Sequence, residues 1–319
     1  MLTEGPVLVT GADGFVGRWV CEALTAAGAE VRAGVRDPSA PTVPRASRDR
    51  LHRLSWVAFD LAEQATIDGA VQGARAVIHL AAMASGAEAR AQPVRAWEVN
   101  VLGTVRLLEA MERLAPSARL LFASSGEVYG QGVGRPSRED DAVAPCSPYA
   151  ASKAAAEVAC LESHRRSGLD VVVARPFAQI GPGQRADFVV PALARRMRAA
   201  RAEARDVIRA GNLDPVREFI DVRDVAAAML VLLAAAPPGD TVNIAAGVAR
   251  PLREVARLLA EAVGWEGRIE EDPALRRRAD LAMLVGDGGR LRRLGWAPRY
   301  ALHDTLATIV GALDAPGEA

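Results

Sequence analysis

Tyr149 and Lys153 stand four residues apart in Tyr149-Ala150-Ala151-Ser152-Lys153. On a helix that spacing puts both side chains on one face, one turn apart. A phenol titrates near pH 10, too high to work as an acid at neutral pH, and a neighbouring ammonium lowers that value by stabilising the phenolate. The pair therefore reads as a general acid or base acting on a carbonyl or an alcohol. Of the 39 basic residues, 38 are arginine, and Lys153 is the only lysine. Arginine cannot replace it without loss, because a planar fork fits one phenolate and one ribose poorly. Ser124-Ser125 closes an apolar run, and Ser125 is placed to hydrogen-bond the reacting oxygen beside Tyr149. The competing reading is a strand-end serine satisfied by backbone.

The N-terminus carries a second motif, one suited to binding phosphate. Thr10-Gly11-Ala12-Asp13-Gly14-Phe15-Val16-Gly17 follows the apolar run Val7–Thr10 and opens a segment with Val16, Val20 and Leu24 at helical spacing. Glycines let the backbone turn sharply against a pyrophosphate, and the helix N-terminus offers free N–H groups. The strand-turn-helix context separates this loop from an ordinary glycine-rich turn. Where an acid for an NAD ribose is expected, the second strand ends in Val35-Arg36, with Asp37 displaced beyond it. Arginine there suits the extra phosphate of NADP, so NADP(H) is favoured over NAD(H); the alternative is a solvated surface arginine. Asp60-Leu61 is placed to meet the adenine edge, and the small residues of Leu80-Ala81-Ala82 let backbone pass close to the dinucleotide.

The elements that must position these residues alternate. Strands are expected at Val7–Thr10, Val31–Val35, Trp56–Asp60, Ala76–Leu80, Leu120–Ser124 and Val171–Arg175, with helical segments between them, among them one carrying Trp97, Val101, Val105 and Leu108. Such alternation with nearly continuous apolar strands implies α/β architecture: a Rossmann-type, doubly wound parallel sheet covered on both faces. Pro38–Arg53 and Gly130–Pro148 read as loops. After Arg175-Pro176 the pattern changes to a basic helix near Pro191–Arg205, a turn at Gly211–Pro215, an apolar helix Val222–Ala236, a strand Thr241–Ala245 and a helix Leu252–Val263. The expected division is a dinucleotide-binding domain over 1–175 and a mainly substrate-binding lobe over 176–319, with a segment of about 219–246 returning to the sheet.

Composition excludes other classes. Basic and acidic residues balance at 39 each, which provides no field for nucleic acid or anionic lipid. Three scattered cysteines and four scattered histidines suit neither a disulfide framework nor a zinc site. The longest apolar run, Val225–Ala236, is too short for a bilayer, and no leader-like segment opens the chain, so a cytoplasmic location is expected.

Together these motifs resemble the extended short-chain dehydrogenases/reductases of the NAD-dependent epimerase/dehydratase family. The resemblance runs almost end to end. It is carried by the Thr10–Gly17 loop, Asp60-Leu61, Leu80-Ala81-Ala82 and Asn100-Val101-Leu102-Gly103-Thr104, then by Ser124–Gly130, Tyr149-x-x-x-Lys153 and Arg175-Pro176-Phe177. The second half is similar to the branch that reduces GDP-4-keto-6-deoxy-mannose, through Ile180-Gly181-Pro182-Gly183-Gln184, Gly211-Asn212-Leu213, Arg217–Asp224 and Gly295–Arg299. The resemblance implies a nucleotide-sugar site in which Arg217 and Arg277 bind the diphosphate and Asp280 the nucleotide ribose. It implies cofactor contacts from Gly11, Gly14, Phe15, Val16, Gly17, Arg36, Tyr149, Lys153 and Pro176. It also implies a homodimer formed by helices around Trp97–Arg113 and Tyr149–Arg166 in a four-helix bundle. Two positions depart from the family pattern: Ala178 stands where an asparagine usually meets the substrate phosphate, and Arg278 stands where proline usually follows Arg277.

Three reactions stay open. A reductase would use Tyr149 as the acid, Ser125 as an oxyanion donor and Lys153 as support. A 4,6-dehydratase or epimerase would use transient hydride transfer with Glu127 as base, although Gly126 stands where glucose-type dehydratases keep an aspartate acid. A non-catalytic NADP-binding regulator is the third, and the retained Tyr–Lys pair counts against it.

Overall fold

The computed structural model describes residues 5–43, 51, 54–275 and 281–313. Seven strands form one parallel sheet: β1 (Val7–Thr10), β2 (Val31–Val35), β3 (Ser55–Ala58), β4 (Ala76–His79), β5 (Arg119–Ala123), β6 (Val171–Pro176) and β7 (Thr241–Ile244). Their order across the sheet is β7-β6-β5-β4-β1-β2-β3. The chain winds outward in both directions from the β1–β4 neighbours, which leaves a crevice at the carboxyl ends of those strands. The sheet is the doubly wound α/β architecture expected from the strand–helix alternation.

Side-chain alternation decides what covers each face. Val7 and Val9 of β1 point to a core shared with α1 (Phe15–Ala26) and the apolar helix Val222–Ala235, whereas Leu8 points the other way. That second core is closed by α2 (Gln64–Val71), α3 (Gly103–Leu114) and α4 (Pro148–Ser167). A separate core lies between α5 (Val189–Ala202), α7 (Leu252–Val263) and α8 (Leu302–Leu313), the label α6 being given to Val222–Ala235. Its edge is a two-stranded parallel ribbon of Val207–Ala210 and Arg268–Glu271. No helix among the described residues is long and apolar enough to cross a membrane.

The helix that carries Tyr149 and Lys153 has its ends written into the sequence. Ser147 Oγ accepts the Ala150 N–H at 3.1 Å, Pro148 occupies the first turn, and Gly168 closes the helix with φ +75°. His164, Arg165 and Arg166 in the last turn complement the helix dipole.

One expected period is broken. Trp97, Val101, Val105 and Leu108 suggest a single stripe, but the chain forms a short helix Pro93–Trp97, a π-turn Glu98–Leu102 and only then α3. A π-turn adds a residue to its turn and shifts every later side chain around the axis. The stripe that α3 buries is therefore Leu107, Leu108, Ala110 and Met111, and Trp97 is left exposed. Strand ends fall one or two residues from expectation, β3 stopping at Ala58 and β5 at Ala123. The expected loop at Pro38–Arg53 lies partly outside the described residues.

A buried ion pair joins α4 to the sheet. Arg175 on β6 donates Nε to Glu157 Oε1 at 2.9 Å and Nη2 to Oε2 at 2.7 Å, and both side chains are nearly solvent-free. Arg175 Nη1 also donates to Tyr129 Oη at 2.8 Å, and Tyr129 donates to Asn243 Oδ1 on β7 at 2.7 Å. Glu157→Ala would leave a buried guanidinium without its counter-charge, at an expected cost of about 3–5 kcal/mol. Urea unfolding measures this, and Glu162→Ala, in the exposed pair with Arg166, should leave the midpoint near wild type.

Candidate active site

A cleft of about 1460 Å³ opens at the carboxyl ends of the strands, between the sheet and the α5/α7 lobe. Its floor begins at the glycine loop. Gly11 has φ +66°, and a Cβ there would come within 3.0 Å of the Ala81 backbone. A Cβ on Gly17 would stand 2.2 Å from the Gly11 carbonyl oxygen, so the start of α1 packs onto the loop only with glycine. Gly14 is the N-cap of α1 and offers no side-chain cap, which leaves the first helical N–H groups facing the cleft. This backbone cradle suits a pyrophosphate, and the cleft is large enough for a dinucleotide and a second ligand.

The loop is pinned to β4 by a buried relay. Thr10 Oγ1 accepts the N–H groups of Leu80 and Ala81, each at 3.1 Å, so its own proton goes to His79 Nδ1 at 2.7 Å. His79 Nε2 then donates to Thr104 Oγ1 at 3.2 Å, and Thr104 donates to the Asn100 carbonyl. Complete burial, helped by the charge of Lys153, pushes the His79 pKa down to about 3, which keeps the ring neutral. The π-turn aims the Asn100 side chain inward: its Oδ1 accepts the Met83 N–H at 2.8 Å and its Nδ2 donates to Ser152 Oγ at 2.9 Å. The turn thus ties the loop after β4 to α4, one residue before Lys153.

Ser125, Glu127, Tyr149 and Lys153 all line the cleft. Ser125 caps a short 3₁₀ turn, Gly126–Tyr129, by accepting the Glu127 N–H at 3.1 Å. Its hydroxyl also stands close to the Tyr149 phenol. Burial pushes that phenol above its ordinary value, the Glu127 carboxylate adds to this, and only the Ser125 hydroxyl opposes it. The expected activation of Tyr149 by Lys153 is not what this geometry gives. The ammonium sits 4.7 Å over the Phe122 ring, and burial lowers its own pKa to about 8, with the Glu157 carboxylate opposing the shift. The physical reason is desolvation: Lys153 is buried and Tyr149 half-buried in the cleft wall, which disfavours phenolate and ammonium alike.

The other residues expected from sequence divide into three sets. Gly11, Gly14, Phe15, Val16, Gly17, Arg36, Asp60, Leu61, Leu80, Ala81, Ala82 and Pro176 all border the cleft. Arg217 does too, on the lobe side, with Nη1 donating to the Val216 carbonyl at 2.9 Å. Arg277 and Asp280 lie outside the described residues. Asp37 turns away from the dinucleotide wall: its carboxylate accepts the Ser39 N–H and Oγ–H, which hold its pKa below the usual value.

Three contributors have roles that the sequence reading did not assign, although Phe177 and Glu218 stand within motifs it names. Arg18, in the apolar opening of α1, is buried and donates Nη2 to the Gly183 carbonyl at 2.9 Å, joining the glycine loop to the lobe. An arginine inside an apolar helical stripe is the signal that could have marked it. Glu218 is fully buried and accepts the N–H groups of Ala246 at 2.7 Å, Gly247 at 3.0 Å and Gly286 at 2.5 Å. Burial nevertheless pushes its pKa up to about 7. Phe177 fills the space beside Gly126, where a Cβ would meet its ring at 2.8 Å.

A doubly wound sheet, a glycine cradle at the switch point and a Ser–Tyr pair on the cleft wall with a buried lysine one turn on define a dinucleotide-binding α/β protein built for chemistry at a C–O centre. The chain belongs to the NAD dependent epimerase/dehydratase family, which it matches over residues 7–245. It is 36% identical to a GDP-6-deoxy-D-mannose reductase of Pseudomonas aeruginosa, over 95% of each chain. Among solved structures it is similar to RMD from Pseudomonas aeruginosa complexed with NADPH, at TM-score 0.81 and 32% identity, covering 97% of this chain and 98% of that one. It is also similar to MoeE5 in complex with UDP-glucuronic acid and NAD, at TM-score 0.83 and 31% identity, covering 97% and 99%.

Lys153 gives a pH signature. Its pKa is depressed in the folded chain, so the unfolded chain binds the extra proton between about pH 8 and the ordinary lysine value of 10.5. The cost of burying the ammonium is complete below that window and is relieved as pH rises through it. Without dinucleotide, unfolding free energy should therefore gain a positive slope from Lys153 between about pH 8 and 10.5. Urea titrations across that range measure it, and Lys153→Met should remove that increment.

Proposed function

We propose that this chain is an NADP(H)-dependent oxidoreductase of nucleoside-diphosphate sugars that reduces a 4-keto-6-deoxy sugar, of the GDP-4-keto-6-deoxy-mannose type. The observation that carries the reading is the Ser125–Tyr149 pair beside Gly126. The phenol is kept protonated by burial and by Glu127, which is the state a proton donor needs before reduction begins. The Phe177 ring occupies the space any side chain at position 126 would need, so the acid of a glucose-type dehydratase has no place there.

The dinucleotide, when bound, supplies the hydride. Tyr149 gives its phenolic proton to the oxygen of the reduced carbon as negative charge develops there, and Ser125 donates a hydrogen bond to the same oxygen. Lys153, one turn along α4, holds the nicotinamide ribose, and its ammonium offsets the phenolate that the proton transfer creates. Glycine-loop N–H groups take the pyrophosphate. Asp60 and Leu61 border the adenine, and Leu80, Ala81, Ala82 and Pro176 border the rest of the dinucleotide. Arg217 takes the sugar-nucleotide diphosphate on the opposite wall, with Arg277 and Asp280 assigned to the same ligand by resemblance.

Arg36 is exposed at the end of β2 on the cleft wall, whereas Asp37 is held by Ser39. A fork facing the adenosine end favours a 2′-phosphate. Arg36→Ala is expected to raise the NADPH dissociation constant about tenfold and to leave NADH binding unchanged, a contrast read by nicotinamide fluorescence. Equal effects on both would return the cofactor assignment to NAD(H).

The decisive assay follows NADPH absorbance with GDP-4-keto-6-deoxy-mannose. Tyr149→Phe should lower kcat by roughly 10²- to 10⁴-fold with NADPH affinity retained. A second reading, a dehydratase or epimerase, is favoured by Glu127, whose carboxylate lines the cleft and acts on Tyr149. Loss of water from a GDP-hexose, or inversion without net NADPH use, would select it.

The homodimer also belongs to this reading. Val94, Trp97, Leu102 and Val158 are large exposed apolar side chains on the two segments that would form a four-helix bundle. A second copy of the chain is the occupant that covers them. Light scattering should show a dimer at micromolar concentration and a monomer for Val158→Asp.

A further inference from the structure

The cleft wall carries polar atoms that the fold leaves unsatisfied. Ser124 Oγ, Gln179 Oε1 and Gln184 Oε1 are each buried without a hydrogen-bond partner, and all three residues line the cleft. Native folds rarely bury such atoms unless a ligand or water completes them. A serine hydroxyl can donate or accept and says little about the ligand, whereas an amide oxygen only accepts.

Gln184 has its amide orientation fixed. Its Nε2 donates to the main-chain carbonyl of Gln179 at 2.9 Å, so Oε1 is the end left for something else. Both residues stand on pinned backbone. Gln179 lies in the short strand Gln179–Ile180, paired in parallel with Ile220–Asp221. The turn leading to Gln184 is tied to α1 by the bond from Arg18 to Gly183. The preceding residue, Ala178, brings only a methyl group to the same wall.

The chemistry of the missing partner follows. The fixed Gln184 oxygen repels phosphate oxygens, which are acceptors themselves, and calls for an O–H or N–H donor, while Gln179 can turn either end of its amide to the same ligand. The pair follows directly on Pro176-Phe177 at the carboxyl end of β6, the sheet edge at which Ser125 and Tyr149 also stand. A ring with several hydroxyls, held beside Tyr149, meets that need.

We propose that Gln179 and Gln184 form a hydroxyl-reading pair that fixes the sugar ring of the nucleotide sugar, on the wall where Ala178 provides no hydrogen bond. The inference rests on the nucleotide-sugar reading above. The pair are positioning residues: they orient the ring and take no part in proton transfer.

Calorimetric titration of the NADPH-loaded protein with GDP and with GDP-mannose separates the sugar from the nucleotide. Wild type should bind GDP-mannose more tightly than GDP. Gln179→Leu and Gln184→Met should each weaken GDP-mannose about tenfold and leave GDP and NADPH unchanged. In turnover the loss should fall mainly on KM. Wild type should also bind a deoxy analogue lacking the contacted hydroxyl as weakly as the variants bind GDP-mannose, a measurement that needs no altered protein. Variants that bind both ligands like wild type would overturn the pair and leave the nucleotide-sugar reading standing. Wild type that binds neither these ligands nor the UDP and dTDP equivalents would overturn that reading, and the pair with it.

Discussion

Two charges buried against each other, Glu157 and Arg175, set the frame in which the chemical groups sit. Arg175 projects from β6, next to the edge strand of the sheet, and Glu157 from the helix that carries Tyr149 and Lys153. Neither charge tolerates solitude in the interior, so helix and strand are held in one relation. The remaining guanidinium donor reaches Tyr129, which reaches Asn243 on the edge strand. A strand contributed late in the chain is thereby tied to the same point as the catalytic helix. Lys153 depends on this as well, because the Glu157 carboxylate is one of the charges that support its ammonium.

Neutral hydrogen-bonded groups hold the loops of the cleft around that frame. His79 is stripped of its proton by burial and becomes a relay between two threonines, and the π-turn at Asn100 spends its irregular geometry on joining a loop to α4. Tyr149 and Lys153 stand one turn apart at the cleft wall, where desolvation raises the pKa of the phenol and lowers that of the ammonium.

Much of this was legible in the sequence, and the reasons are local. The glycine loop, the Ser147-Pro148 start of α4 and the apolar strands write their conformation within a few residues. Tyr149 and Lys153 stood out because one lysine among 38 arginines has to be explained. What stayed hidden depends on distance in sequence. The π-turn looks like an ordinary helical stripe until tertiary contacts draw Asn100 inward. Arg18 meets Gly183 across 165 residues, and Glu218 gathers N–H groups from two later loops. The sign of the Tyr149 shift also escaped, since spacing reports proximity on a helix face but carries no information on desolvation.

The lone lysine has a practical consequence. A protease that cuts only after lysine has a single target bond in the whole chain, and that bond lies inside α4, next to a side chain that is 4% exposed. The folded protein gives it nothing to cut. Cleavage then reports how often α4 opens, and the two fragments of one nick suffice to count those openings. Because α4 holds the groups assigned to the nicotinamide, the same clock should slow when dinucleotide is bound.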